Sequence, residues 1–456
     1  MALSFYNTKN KKDYFLNYYR SKKLGKGYLV TNDYGSWVYL SSEEFKQLKS
    51  ENIDDSLLDD LITKKIVLTK DNIQINIDEY RKKMGYLFQG VSLHIVVPTL
   101  RCNLKCVYCH AKARGEDEKI FDMDKKTAKK TVDFIFQSPS KAITIEFQGG
   151  EPLLRFDLVK YIVEYAIKVN KEYGKTLEFS IVTNLTLMKD EYFKFFRLHG
   201  IGICTSLDGP KIVHDKNRSD YETTSNWIKK ILSKYTLNAM LLTTKNTLPY
   251  HKEIVDEYIK YKLPRIWVKP VNNLGFAQSN WEKIGISSEE YLKFWKKTLD
   301  YIVFKKKGKI VENYTKIILR KILTDESVNF TDLQSPCGAA IGQIAYNYDG
   351  NVYSCDEGRL FEIFKLGSVD DTYKEIVTSE SSCAIVKSSI NDNPYCEKCA
   401  YKPYCGLCPV CHYAKTGNII SKLPDERCKI LMGMFDYIFE KLVSDEEYRK
   451  VFMEWV

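Results

Sequence analysis

The sequence predicts an α/β protein: a partial (β/α)6 barrel, preceded by a small α+β module and followed by a loop-rich, cysteine-rich domain. Three observations carry this prediction. From residue 92 onward, six short apolar runs alternate with stretches of helical spacing, the pattern of parallel strands joined by right-handed crossovers. At 456 residues the chain is too long for one ordinary core. Twelve of its 13 cysteines fall in three groups or their flanks, at 102–109, 337–383 and 396–428. The expected boundaries are 1–88 for the first module, 89–285 for the barrel, 286–335 for bridging helices, 336–430 for the cysteine-rich domain and 431–456 for a final helix.

Taken in order, "KGYLVTNDYGSWVYLS" reads as a hairpin around an Asn-Asp-Tyr-Gly turn, and "SSEEFKQLKS" as a Ser-capped helix. "DDSLLDDLITKKIVLT" reads as a second helix and a return strand. This module is either a cap on the barrel or a peptide docker that adds a strand to a sheet edge. The barrel strands are "SLHIVVP", "AITIEFQ", "LEFSIVTN", "IGICTSLD", "NAMLLTT" and "RIWVKPV". Stretches such as "DKKTAKKTVDFIFQ", "FDLVKYIVEYAIKV" and "KDEYFKFFRLHG" supply helices between them. Six units are fewer than the eight of a closed barrel, which leaves a lateral mouth for a large substrate. "SSEEYLKFWKKTLDYIVFKK" and "GKIVENYTKIILRKIL" read as bridging helices, and "CKILMGMFDYIFEKLVSDEEYRKVFMEWV" as amphipathic helix.

The balance of 44% hydrophobic and 28% charged residues is globular. No apolar run reaches membrane-span length, and "MALSFYNTKNKKDYF" lacks a signal-peptide core, so a cytoplasmic protein without a membrane partner is expected. A formal charge of +10 permits an acidic peptide or nucleic acid but is too diffuse to demand either, and no nucleic-acid partner is expected. A reducing compartment disfavours disulfides, so the clustered cysteines point to metal. Cys204 stands alone and reads as a small buried strand residue.

The chemistry starts at "RCNLKCVYCH", directly after the first barrel strand. Ligand sites in such folds gather at the carboxyl ends of strands. Cys102, Cys106 and Cys109 supply three thiolates where a closed site takes four. Three can hold a [4Fe–4S] cluster and leave one iron open to a small molecule. A zinc knuckle with a distant fourth ligand is the alternative.

The pattern Cys102-x3-Cys106-x2-Cys109, with Tyr108 before the last cysteine, resembles the radical S-adenosylmethionine (SAM) signature. The resemblance implies SAM chelated on the open iron and cleaved reductively to a 5′-deoxyadenosyl radical. It also implies a reducing partner such as flavodoxin or ferredoxin. "FQGGEPLL" resembles the family's glycine-rich motif, with Gly149, Gly150, Glu151 and Pro152 near the methionyl group. Asn184, Ser206 and Asp208, at the ends of strands three and four, resemble its polar contacts to the cofactor, turn and cap chemistry being the alternative. Arg218, with His214 and Asp215, is implied to brace the loop and the SAM carboxylate.

The last cysteines resemble the SPASM extension of radical SAM enzymes, which binds two auxiliary clusters and would bring the total to three [4Fe–4S] clusters. Cys337-x12-Gly350-x4-Cys355 is followed by Cys396-x2-Cys399-x5-Cys405-x2-Cys408-x2-Cys411 and then Cys428. By the family's crossed topology, Cys396, Cys399, Cys405 and Cys428 hold an outer cluster, and Cys337, Cys355 and Cys408 an inner one. The spacing departs from the family at Cys408–Cys411, so the inner fourth ligand is Cys411 or Cys383, or the site is open. Asp356, next to Cys355, matches a catalytic base in the sulfatase-maturing relatives, or is a carboxylate bonded to loop amides.

"YLVTNDYGSWVYLSSEEF" and "CGAAIGQIAYNYDGNVYSCDEGRL" resemble maturases of His-Xaa-Ser peptide systems. The implied function is modification of an unactivated side-chain carbon in a ribosomally made precursor peptide, giving a cross-link or other change. The alternatives are an anaerobic sulfatase maturase forming formylglycine, and a non-catalytic iron–sulfur electron carrier. A radical enzyme acting on tRNA is compatible with the charge, but the SPASM cysteines argue against it.

Overall fold

The computed structural model describes residues 14–324, 326, 328, 330–420 and 424–456. Most of the stretch expected to lack a signal sequence, and the start of the 1–88 module, lie outside them. All six expected barrel strands are present, parallel and in sequence order: β1 (Leu93–Val96), β2 (Ala142–Phe147), β3 (Thr176–Val182), β4 (Gly202–Ser206), β5 (Leu237–Thr243) and β6 (Val268–Pro270). The helices between them include Lys125–Ile135, Phe156–Tyr173, Asp190–Leu198, Tyr221–Leu232 and His251–Lys260. Their apolar faces pack on one side of the sheet.

The other side is open. In β5, Leu237, Ala239, Leu241 and Thr243 are buried while Asn238 and Met240 are exposed. In β2, Ile143, Ile145 and Phe147 are buried while Glu146 is half-buried. A parallel sheet is ordinarily covered on both faces; here the concave face keeps polar, solvent-reached side chains, so the barrel holds space rather than a packed centre. Cys204 belongs to this face. It is half-buried, beside Glu146 and Asn238, and not the core residue expected from its neighbours.

The region after 335 is less loop-like than expected. β7 (Gln343–Tyr346) pairs parallel with β1, and β8 (Asn351–Tyr353) and β9 (Lys365–Ser368) follow antiparallel, making a nine-stranded sheet. "QIAYNYDGNVYSC" is a hairpin whose Gly350 takes φ 83° in the turn. Its first strand exists because Leu93–Val96 offers an edge some 250 positions earlier, which no local pattern reveals.

The bridging helices form at Ser288–Asp300, under a Ser287–Glu290 capping box, and at Asn313–Leu323. Such a cap contributes about 1 kcal/mol. The tail is two helices, not one: Glu426–Ser444 and Glu446–Trp455. Asp445 leaves helical geometry and its carboxylate caps Tyr448, which ends one helix and starts the next. The first of these helices runs through the boundary expected at 430/431. Among the described residues no helix is long and apolar enough to cross a membrane.

The amino-terminal module has its own small core of Val30, Val38, Leu40, Phe45, Leu48, Leu57, Leu61, Ile66 and Val67. The expected hairpin pairs Gly27–Asn32 with Trp37–Leu40, and both expected helices form, at Ser42–Ser50 and Asp55–Thr63. The return strand Val67–Thr69 pairs with Tyr14–Leu16. A third strand, Tyr19–Leu24, escaped the sequence reading because "YRSKKL" is mostly polar.

Candidate active site

The three-cysteine loop is held by groups other than its thiols. Arg101, buried just before it, makes a two-point ion pair with Asp122, Nε–Oδ1 2.8 Å and Nη2–Oδ2 2.7 Å. Cys102 N donates to Arg114 O at 3.0 Å, Val107 N to Asn217 O at 3.0 Å, and Phe276 N to Cys109 O at 2.9 Å. Burial pushes the Cys102 thiol up to about 12 and raises Cys106 as well. Arg218 works against that at Cys106, its Nη1 lying 3.8 Å from Sγ.

The structure sets the residues expected around the cofactor mostly as braces of this loop. A Cβ on Gly150 would stand 2.0 Å from Arg101 O, and one on Gly149, at φ 128°, 2.4 Å from Thr99 O. These glycines therefore let the loop after β2 close onto the start of the cysteine loop. Gly150→Ala must displace backbone beside Cys102, and a misplacement of about 1 Å costs on the order of 10²-fold in rate. SAM cleavage, read as 5′-deoxyadenosine formed, is expected to fall by that factor.

Glu151 is buried, and its carboxylate accepts from Thr183 Oγ1 at 2.7 Å, Asn184 N at 2.9 Å and Leu153 N at 3.1 Å. Burial pushes its pKa up to about 7. Its oxygens are engaged by the chain itself, so backbone carbonyls are better placed than Glu151 to receive an ammonium group. Pro152 starts the short helical turn that Glu151 caps. Asn184 Nδ2 donates to Asn103 Oδ1 at 3.0 Å and faces Cys102 Sγ at 3.9 Å. Ser206 is half-buried at the end of β4.

Tyr108 points inward, into a small core with Val271, Ala277 and Ile284. Its hydroxyl lies 2.5 Å from Asp208 Oδ2 and 2.5 Å from Arg218 Nε. Asp208 is fully buried. Tyr108, Asp208 and Arg218 thus form one internal link from β4 to the cysteine loop. His214 Nδ1 accepts from Asp208 N at 3.4 Å, and Asp215 Oδ1 caps Tyr221 N at 2.8 Å.

The carboxy-terminal thiols separate into two sets. Cys396, Cys399 and Cys428 neighbour Cys405, and these four line, together with Cys408, a cavity of about 470 Å³ with a largely apolar wall. Burial and the neighbouring thiols of Cys399, Cys428 and Cys396 push Cys405 up to about 12. Burial pushes the Cys337 thiol up to about 12 and raises that of Cys355 well above its ordinary value, with Cys408 beside both. Cys411 N donates to Cys408 Sγ at 3.4 Å. The Cys408 and Cys411 sulfurs and a Glu357 oxygen lie within 4.8 Å of one another. Cys383, by contrast, is exposed on the helix Glu380–Ser388. Geometry therefore brings Cys411, not Cys383, to the inner set, with Glu357 as a further oxygen donor.

Asp356 lies between the inner set and the cysteine loop. His110 Nε2 is 2.6 Å from its Oδ2, and Arg359 donates to Oδ1 from Nη2 at 2.5 Å and Nε at 3.1 Å. Burial alone would raise its pKa, but Arg359 and His110 hold it well below the usual carboxylate range. Asp356 and Arg359 line a second cavity of about 270 Å³ with Lys112, Arg114 and Asn347. The sequence reading missed His110, Arg359, Glu357 and Arg101. His110 carried a signal, since it directly follows the last cysteine of the loop.

Among the described residues every cysteine is free. Thiols crowded in apolar surroundings, none of them bonded to another, suit soft iron–sulfur centres, whose irons supply the positive charge that buried thiolates lack. A chain that sets three of them at the mouth of an open (β/α)6 barrel, and others in an appended domain, has the architecture of a SAM-dependent radical enzyme. Residues 96–260 match the radical SAM superfamily, and residues 337–400 match the SPASM iron–sulfur cluster-binding domain. The protein is a radical SAM enzyme with a carboxy-terminal SPASM domain.

It is 26% identical over 374 residues to a cysteine-type anaerobic sulfatase-maturating enzyme of Clostridium perfringens, covering 78% of this chain and 98% of that one. The structure of native anSMEcpe with bound AdoMet and Cp18Cys peptide superposes with TM-score 0.65 at 23% identity, over 77% of this chain and 98% of that one. Streptococcus suis SuiB bound to precursor peptide SuiA superposes with TM-score 0.55 at 15% identity, over 91% and 98%. At these identities the structural likeness is one of fold. The two matching domains imply iron–sulfur clusters as cofactors.

Proposed function

We propose that the protein modifies a ribosomally made precursor peptide at an unactivated side-chain carbon, in the cytoplasm, using three [4Fe–4S] clusters. The observation that carries this reading is the open concave face of the barrel. Glu146 and Cys204 are half-buried there and Asn238 is exposed, which leaves room for an extended chain. Bound SAM and its cluster would supply a carbon-centred radical able to take hydrogen from such a chain. Cys102, Cys106 and Cys109 would hold that cluster. Cys337, Cys355, Cys408 and Cys411 would hold the inner one, and Cys396, Cys399, Cys405 and Cys428 the outer one. Asp356 would take up a proton beside the inner set when its ion pair with Arg359 and His110 opens, since that pair keeps it a carboxylate until then. A reducing partner such as flavodoxin or ferredoxin would deliver the electron.

The amino-terminal module supports a peptide substrate. Its sheet ends at Tyr19–Leu24 on one side and Trp37–Leu40 on the other, and among the described residues neither strand is paired on its second side. Such an edge suits strand addition by a leader segment. The peptide-bound SuiB structure superposes over 91% of this chain, against 77% for anSMEcpe. Sulfatase maturation is the second reading, favoured by a relative that aligns over 98% of its own length.

The test incubates reduced, reconstituted holoenzyme and SAM with candidate short precursor peptides, and separately with a cysteine-containing sulfatase peptide. Products are fragmented in a mass spectrometer. Loss of hydrogen from a candidate precursor peptide is expected. Formylglycine in the sulfatase peptide, with the other peptides unchanged, would establish the second reading instead.

A further inference from the structure

We propose that the amino-terminal sheet is a wall of the outer iron–sulfur site and that Arg20 positions its Cys396–Cys399 loop. The sheet contributes to the site directly. Ser21 and Lys22 line the 470 Å³ cavity together with Cys396, Cys399, Cys405 and Cys428. The strand Tyr19–Leu24 thus faces the thiols across some 375 positions of sequence.

Arg20 makes the central contact. Its side chain is 1% exposed, although it belongs to a strand at the edge of a small module. Nε donates to the main-chain oxygen of Glu397 at 2.7 Å, and Nη2 to the Glu397 carboxylate at 3.2 Å. Nη1 is held by Asp33 Oδ1 at 2.8 Å, which fixes the guanidinium plane. Glu397 sits between Cys396 and Cys399, so Arg20 grips the peptide that spaces these two thiols.

Neighbouring contacts repeat the pattern. Thr31 Oγ1 donates to Ala400 O at 2.7 Å, next to Cys399. Tyr404 Oη donates to Gly35 O at 2.9 Å, next to Cys405. Lys22 Nζ pairs with Asp436 Oδ1 at 2.5 Å, and Tyr401 also donates to Asp436. The segment 396–405 consists of the end of one short helix, Pro394–Lys398, and one helical turn, Lys402–Tyr404, whose end carbonyls need partners from elsewhere. The amino-terminal sheet supplies donors to two carbonyls here, Glu397 O and Ala400 O. Lys22 lines the cavity beside Cys399, and the Arg20 guanidinium sits on the peptide oxygen two residues before it. Two cations beside a cluster stabilise its reduced, more negative state, so their removal lowers the midpoint potential.

The inference needs no peptide and stands apart from the substrate proposed above. The test uses the full-length, reconstituted protein without peptide, comparing wild type, Arg20→Gln and Arg20→Lys. Iron per chain is measured after exposure to EDTA, and cluster potentials by redox titration followed by electron paramagnetic resonance. Arg20→Gln is expected to lose about a third of its iron, the share of one [4Fe–4S] cluster, or to keep it with one midpoint potential moved to a more negative value. Arg20→Lys is expected to fall between, because a lysine keeps the charge but cannot make the forked contact. If Arg20→Gln does not fold, Thr31→Val leaves Ala400 O without its donor and should speed loss of the same third about tenfold. Full iron retention and unmoved potentials, even with a lowered Tm, overturn the proposal, because that result leaves Arg20 a fold-stabilising residue alone. If Thr31→Val is the variant in use, iron loss at the wild-type rate overturns it equally.

Discussion

A variant with Cys102, Cys106 and Cys109 all changed to Ala is expected to bind about two thirds of the wild-type iron, about eight atoms instead of about twelve, and to form no 5′-deoxyadenosine. The fold should survive because the thiols do not hold the loop. Arg101 and Asp122 anchor its start, Asn217 and Phe276 bond its backbone, and Gly150 seats against it. At Cys102 and Cys106 the change removes groups that desolvation keeps as neutral thiols in the metal-free chain, so no paired charge is stranded there. The eight SPASM thiols assigned to the other two clusters lie in separate sets and should keep their iron. Iron analysis and chromatography of SAM cleavage products check both halves. Undiminished iron, or continued 5′-deoxyadenosine production, would falsify the assignment of this loop to the SAM-bound cluster.

Asp356→Asn is expected to keep full iron content and SAM cleavage while lowering the yield of modified peptide by about 10²–10⁴-fold, the usual range for a general base. The amide preserves shape. Its oxygen still accepts from Arg359, and its nitrogen faces His110 Nε2, which then serves as acceptor. What is lost is the anionic charge that lies between Arg359 and His110 beside the inner thiols. With the carboxylate gone, Arg359 loses its ion-pair partner, so a modest fall in Tm is expected alongside. The decisive readout is the ratio of product to 5′-deoxyadenosine. An unchanged ratio would make Asp356 a structural partner of Arg359 and no more.

Much of this architecture is legible along the chain. The strands and helices of the barrel are local features: a period of two or a period near 3.6 is set by residues within one window, and all six strands formed where their apolar runs predicted. The capping boxes at Ser41–Glu44 and Ser287–Glu290 belong to the same class. The three-cysteine loop is equally local, since its ligands fall within eight positions. Elements that failed this test did so for a reason. The strand Gln343–Tyr346 depends on an edge at Leu93–Val96, and the strand Tyr19–Leu24 carries polar residues because Ser21 and Lys22 line the cysteine cavity and Arg20 bonds Glu397.

The sequence by itself determined the class of chemistry: the number of thiols, their spacing, the six-unit barrel and the appended cysteine domain. It left open where Cys411 and Cys383 lie, what Glu151 contacts and whether the amino-terminal module stands apart. Tertiary structure decided these. It placed Cys411 beside Cys408 and left Cys383 on the surface, turned Glu151 inward onto Thr183 and Asn184, and joined His110 to Asp356 across 246 positions and Arg20 to Glu397 across 377. The physical reason is the same in each case. Spacing constrains which thiols, donors and carboxylates can be neighbours within one loop. A buried thiol or carboxylate takes its partner from whatever element packs against it, and that element is selected by the packing of the whole chain.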